Sequence, residues 1–248
     1  MSVLLLPVAP LSRTKSRLRD CFSKSDLKAL SIAMFEDLAI KLSRVDCFDE
    51  KIVYCNDDSI LQSAETHGLV GIKEPLSVPP KSFARVIQDL NDIAVENFGA
   101  TMTTFIFLDL VLTSEENFFE VARLLKRNQV VICPAFHSAG ISMFARNPPN
   151  VISSKCFSDP DLPSLFSLIR EAEERAIKDI AIYDSFRAGF DVDVKKDLIL
   201  AQEYLKMFGL TSSKTYQFLH DRLKLVLKRN SAHNNREFTI ERKKENEK

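Results

Sequence analysis

Several cations and carboxylates of this chain lie where a phosphate-handling site would need them. An apolar run at 3–6 leads into Pro10-Leu11-Ser12-Arg13-Thr14-Lys15-Ser16-Arg17-Leu18, so Arg13, Lys15 and Arg17 follow a strand almost at once. In an open α/β sheet, ligands collect beyond the carboxyl ends of the strands. There Arg offers phosphate oxygens a planar fork of donors, and Lys offers a compact charge. A solvated basic loop is the plain alternative, because runs of charge are commonly just surface. Asp109 follows the apolar run 103–108 and should stand near the end of another buried strand, at the same sheet edge. Such a carboxylate either accepts structural hydrogen bonds or ligates a metal. Asp191 and Asp193 alternate with Val192, so on an extended segment both point to one side. Two carboxylate sites reaching one ligand suit magnesium. Magnesium with Lys and Arg on phosphates describes nucleotidyl transfer, in which an oxygen attacks the α-phosphorus and pyrophosphate leaves. That chemistry rests on positioning and charge stabilisation and needs no Ser-His-Asp set.

Those residues require a scaffold, and the hydrophobic pattern supplies one. Strand-like runs occur at 3–8, 51–55, 103–112, 130–133, 141–145 and 179–183. Helical stripes occupy 23–42, 83–98, 114–125, 161–176 and 194–207, the first opening on a capping-box spacing of Ser23 and Asp26. Strands alternating with helices of this length predict an α/β fold, a mostly parallel sheet with helices on both faces. Residues 214–227 read as one more helix, and 222–248 hold nine Lys or Arg against four Glu. The expected organisation is an α/β domain over 1–210 and a helical, basic extension over 211–248 with a frayed tail. An arm for acidic partners is the alternative for that tail.

Composition narrows the function classes. With 248 residues, 45% hydrophobic and 27% charged, the chain can bury a full core, so disorder cannot dominate. The charges balance, 34 Lys and Arg against 34 Asp and Glu, which leaves no net field for nucleic acid or a membrane. Apolar stretches are too short to span a bilayer, and Pro7 and Pro10 interrupt any signal-type segment, so a cytoplasmic location is expected. The odd set Cys21, Cys47, Cys55, Cys133 and Cys156 predicts reduced, mostly buried thiols. The eighteen phenylalanines read as core packing rather than a stacking surface for bases. His137, in a loop after a strand, reads as a surface or substrate-adjacent residue, since transfer to a phosphate oxygen needs no base. Gly140 and Gly189 mark positions of close backbone approach or ordinary turns.

The stretch 7–18, the strand end at Asp109-Leu110 and the segment 183–198 together resemble the archaeal 2-phospho-L-lactate guanylyltransferases, over roughly residues 3–208 and in one order. The resemblance implies a Rossmann-like, GT-A-like nucleotidyltransferase fold with a mixed, mostly parallel sheet. It implies GTP and a small phosphorylated carboxylic acid, 2-phospho-L-lactate or phosphoenolpyruvate, as reactants, Mg2+ as cofactor, and a product that feeds deazaflavin coenzyme synthesis. Carried over by position, Lys15, Arg17 and Asp109 are catalytic. Pro10, Arg13, Lys15, Arg17 and Ser82 bind the nucleotide, Gly140, Ser142 and Ser164 bind the acceptor, and Asp109, Asp191 and Asp193 hold the metal. The chain departs from the family pattern at Ala9, at Pro80-Lys81-Ser82, at Ala135 and at Ile141, where the last replaces a hydroxyl donor by a methyl group. A divergent enzyme is one outcome of these changes. A catalytically impaired relative that binds a nucleotide or a partner is the other. A homodimer is compatible with the sequence without being demanded by it.

Overall fold

The computed structural model of the chain describes residues 1–11, 15–230 and 235–242. Strand β1 (Ser2–Val8) is buried at six of its seven positions, as a strand covered on both faces must be. It heads a chain order of α1 (Lys24–Ser43), β2 (Glu50–Cys55), α2 (Asp58–Thr66), β3 (Val70–Lys73), α3 (Phe83–Phe98) and β4 (Met102–Ile106). Then follow α4 (Glu115–Leu125), β5 (Val130–Pro134), β6 (Ile141–Arg146), α5 (Ser164–Glu174), β7 (Ile180–Ile182), α6 (Phe186–Gly189), α7 (Lys195–Met207) and α8 (Lys214–Arg222). The chain continues into a separate antiparallel pair, β8 (Leu223–Asn230) and β9 (Asn235–Arg242).

The seven-stranded sheet has the order β3-β2-β1-β4-β6-β5-β7. Only β6 runs against its neighbours, because the connection from β5 is too short for a crossover. Side chains that alternate along β1 build two cores. Leu4 and Leu6 join Phe35 and Leu38 of α1, Ile60 of α2 and Phe118 of α4. Val3 and Leu5 join Ile87 and Leu90 of α3 and Leu168 of α5. A third cluster covers the other side of α1, where Leu27, Leu30 and Met34 meet Leu198 and Leu205 of α7 and Phe218 and Leu219 of α8. Helix α1 is therefore apolar on two sides rather than on one stripe.

Pairing of β1 with β2 continues to Val8, whereas pairing with β4 stops at Leu5. Pro7, which has no N–H to donate, lies past that last rung. From here the chain winds toward β2 on one side while β4 lies on the other. The parting of β1 and β4 is thus a topological switch point, the crevice where such sheets bind ligands.

The expected α/β class, with a mixed and mostly parallel sheet, is the observed one. Three boundaries differ. Strand β4 ends at Ile106 rather than 112, and Leu110, Val111 and Leu112 are buried as a turn. Helix α5 occupies a shorter span than 161–176. The helix expected over 214–227 stops at Arg222, where β8 begins, and Phe218 and Leu219 of α8 lie in the same core as α1 and α7. No helix among the described residues is long and apolar enough to cross a membrane.

Candidate active site

A cleft of about 760 Å³ opens over the carboxyl ends of β1, β4 and β5. Lys15, Arg17, Asp109, Asp191, Asp193, Gly140, Ser142 and Ser164 all line it, so most residues selected from the sequence meet in one place. Lys15 follows β1 in a left-handed backbone conformation, φ 48°, which costs a non-glycine residue about 1–2 kcal/mol. Its side chain is firmly held. Nζ donates to Asp109 Oδ2 at 2.5 Å and to the Val192 carbonyl at 2.7 Å, and lies 3.6 Å from Asp193 Oδ1. Arg17, mostly exposed, pairs with Asp193 Oδ2 at 2.9 Å.

The carboxylates outnumber these contacts. Asp109 Oδ1 is buried and has no hydrogen-bond partner. Asp191 is pushed up to about 7, first by loss of water and then by the charges of Asp109 and Asp193. Among the described residues no three His, Cys, Asp or Glu side chains already surround one ion position. Magnesium, however, is commonly held by one or two carboxylates, the rest of its shell being water and substrate phosphate. An orphaned carboxylate oxygen beside two further aspartates fits that requirement.

Local chemistry explains why the loops sit as they do. Asp197, buried at the start of α7, accepts from the backbone N–H groups of Asp193 and Val194, both at 2.8 Å, and so fixes the segment that presents Asp193. Its place three residues after Val194, at the third helical position, is the spacing of a capping acid and was the available signal. At Gly189 an added Cβ would come within 2.6 Å of the Pro134 carbonyl, so glycine is what lets this segment close against β5. The turn after Asp109 is held from behind. Lys41 Nζ donates to the Val111 carbonyl at 3.1 Å and Arg187 Nε to the Leu112 carbonyl at 2.8 Å. Burial pushes Lys41 down to about 8.

Other sequence expectations fall away from the cleft. Pro10 lines a separate hollow with Lys24, Lys28, Asn56 and Asp57. Ser82 is exposed and caps α3, its hydroxyl accepting from Arg85 N at 3.2 Å. Arg13 lies outside the described residues. His137 is exposed and packs edge-on against Phe136 and Phe190. Ser142 is 1% exposed and its hydroxyl donates to the Cys133 carbonyl at 3.0 Å, so its single proton is already committed. Ala135 and Ile141 line the cleft as apolar wall. Phe83, Phe107 and Phe157 line it too, although the sequence pattern reads the phenylalanines mostly as core packing. Of the five cysteines, four are buried and Cys47 is half-buried.

The sheet order, the crevice between β1 and β4 and the cations facing carboxylates define a nucleotidyltransferase-type α/β fold. Solved structures agree on that fold. A Desulfovibrio desulfuricans protein described as a nucleotide-diphospho-sugar transferase matches with TM-score 0.69 and 14% identity, covering 88% of this chain and 94% of that one. The 4-diphosphocytidyl-2C-methyl-D-erythritol synthase of Anaerococcus prevotii matches with TM-score 0.60 and 14% identity, over 83% and 96%. Sequence narrows the class: the profile described as "Guanylyl transferase CofC like" matches residues 1–243, and the chain belongs to that family. Among its relatives, the 2-phospho-L-lactate guanylyltransferase of Methanothermobacter thermautotrophicus is 27% identical over 216 residues, 84% of this chain and 91% of that protein. That of Methanocaldococcus vulcanius is 24% identical over 217 residues, with the same coverage.

Proposed function

We propose that this chain transfers GMP from GTP to 2-phospho-L-lactate or phosphoenolpyruvate and releases pyrophosphate, a step in deazaflavin coenzyme synthesis. The observation that carries the reading is the cluster of Lys15 and Arg17 against Asp109, Asp191 and Asp193 in one cleft. In the reaction, a phosphate oxygen of the acceptor attacks the α-phosphorus of GTP. The bond from that phosphorus to the bridging oxygen breaks, and the electron pair leaves with pyrophosphate. Lys15 and Arg17 balance charge on the phosphates, Lys15 giving up part of its contact with Asp109 to do so. Asp109, with Asp191 or Asp193, would hold magnesium, which supplies charge neutralisation at the oxygens of the reacting phosphates. Asp197 keeps the Asp193 backbone in place throughout. Gly140 and the Ser164 hydroxyl at the start of α5 form the acceptor wall, while Ser142 braces that wall from within.

The test is pyrophosphate release from purified protein given each nucleoside triphosphate, each acceptor, and magnesium or a chelator. Release that requires GTP, an acceptor and magnesium together is the expected result. Absence of release under every combination would overturn the reading.

A further inference from the structure

We propose that Phe83 is the stacking platform for the base of the nucleotide, an inference that rests on the nucleotidyl-transfer reading above. Phe83, the first residue of α3, is 43% exposed in the cleft lining. Behind it stand two half-buried rings. Phe107 lies 5.6 Å away at 43°, and Phe157 lies 5.8 Å away, nearly edge-on. Those two rings are themselves 5.8 Å apart and edge-on, so the three form one packed aromatic wall.

The residues flanking Phe83 are fastened. Ser82 caps the helix through Arg85 N, and Ala84 N donates to Ser158 Oγ at 3.2 Å, tying the start of α3 to the turn (Lys155–Ser158) that carries Phe157. A half-exposed ring held this rigidly is preorganised to meet a flat partner.

The chemistry of the two reactants decides which one it meets. A small phosphorylated carboxylic acid is charged at both ends and has no aromatic ring, so an aromatic wall offers it little. A nucleoside triphosphate has a polyanionic end, suited to Lys15 and Arg17, and a flat heterocycle suited to phenyl rings. Stacking depends on the π face that every base has. Phe83 therefore contributes affinity for the base without choosing among bases.

The chain contains no tryptophan, so Phe83→Trp places a single indole reporter in the cleft. Saturable quenching of that emission by GTP and by ATP is expected, with none from the acceptor alone. Phe83→Ala should raise the KM for GTP about tenfold or more and leave the acceptor KM within twofold. Phe83→Leu, which keeps apolar bulk, should show the same rise even if the alanine variant does not fold. A wild-type GTP KM in the leucine variant, or F83W emission indifferent to saturating GTP in a sample that turns GTP over, overturns the platform. Quenching by nucleotide without pyrophosphate release under any condition would keep the platform and remove the transferase reading instead.

Discussion

Arg146 and Lys15 both carry positive charge into the protein at strand ends, yet their surroundings differ in kind. Arg146 ends the antiparallel β6 and pairs with Thr103 and Val130, which puts it at the sheet edge opposite the cleft. It is fully buried. Its guanidinium donates to Asn91 Oδ1 at 2.7 Å, the Ile152 carbonyl at 3.2 Å and Ser154 Oγ at 3.3 Å, and lies 5.1 Å from the ring centroids of both Phe105 and Phe144. No carboxylate comes within ion-pair distance of it among the described residues. Burial pushes it down only to about 10, so it stays charged at neutral pH. Lys15 instead faces an excess of carboxylate, with one oxygen of Asp109 left bare. A charge that closes a structure is held by neutral partners and rings, here at both terminal nitrogens of the Arg146 guanidinium, with only Nε lacking a partner among the described residues. A cluster that awaits a ligand is left for that ligand to complete.

The sharpest way to break this comparison is to remove one charge from each region. Asp109→Asn should lower the rate of pyrophosphate release by about a thousandfold, the scale seen when a preorganised charge is withdrawn from a transition state. The melting temperature should shift by no more than a few degrees. Initial rates and thermal melts on the same preparation check both halves, and activity near wild type would remove Asp109 from the chemistry. Arg146→Met should do the reverse. Asn91, Ile152 and Ser154 each lose the hydrogen bond from the guanidinium, Asn91 Oδ1 keeping that from Thr103 Oγ1, which should cost about 3 kcal/mol, or roughly 6–12 °C for a chain of this size. The rate per folded molecule should stay within about threefold. A stable but inactive Arg146→Met protein would mean that the two regions are coupled.

A smaller effect of the opposite sign belongs to Asp191. Its pKa is raised from 3.8 to about 7 in the folded protein. Between those values the folded state keeps a proton that the unfolded chain has released, so stability falls as pH rises through this window, and the cost is complete above about 7. Asp191→Asn removes that cost. In the absence of metal it should stabilise the protein at pH 8 by on the order of 1–2 kcal/mol after solvent screening, and by almost nothing near pH 4. Denaturant titrations at the two pH values decide it; equal shifts at both would mean that crowding of charge is not the cause.

Local signals in the sequence were legible where caps and periodicity agreed. Helix α3 runs from residue 83 to 98 as its pattern predicts, because Ser82 caps one end and Gly99, at φ 68°, closes the other. The Ser23 and Asp26 capping box is present in α1. Legibility failed where burial and pattern part. Leu110, Val111 and Leu112 are apolar because a turn is buried there, and not because β4 continues. Strand β3 is short and lies at the sheet edge, too little pattern to detect. Residues 223–227 read Leu-Lys-Leu-Val-Leu, a mostly apolar run short enough for a strand, although 214–227 also carries a helical stripe. The site was legible as separate carboxylates and cations, since each follows a strand or an extended segment. That Lys15 would touch Asp109 and the Val192 carbonyl, far along the chain, depends on the switch-point topology. The commitment of the Ser142 hydroxyl depends on the β5–β6 register, which no spacing reveals.

That commitment gives the finest comparison, between two serines on one wall. Ser142 and Ser164 both line the cleft. The Ser142 proton is spent on the Cys133 carbonyl, inside the β5–β6 hairpin, whereas Ser164 sits at the first position of α5, where unpaired helix N–H groups favour an anion. Removing a satisfied hydroxyl should weaken the fold, and removing a waiting one should weaken binding. Ser142→Ala is expected to lower stability by about 1 kcal/mol and to leave the acceptor KM within twofold. Ser164→Ala should leave stability unchanged and raise the acceptor KM by about three- to tenfold, the worth of one ordinary hydrogen bond. Steady-state kinetics with the acceptor varied at saturating GTP, beside urea titrations of each variant, separate the two roles. If the two substitutions exchange these effects, the Ser142 hydroxyl leaves Cys133 when the acceptor binds. The distinction between committed and waiting groups would then fail at this wall, while Arg146, among neutral partners, and Lys15, among carboxylates, would still differ in kind.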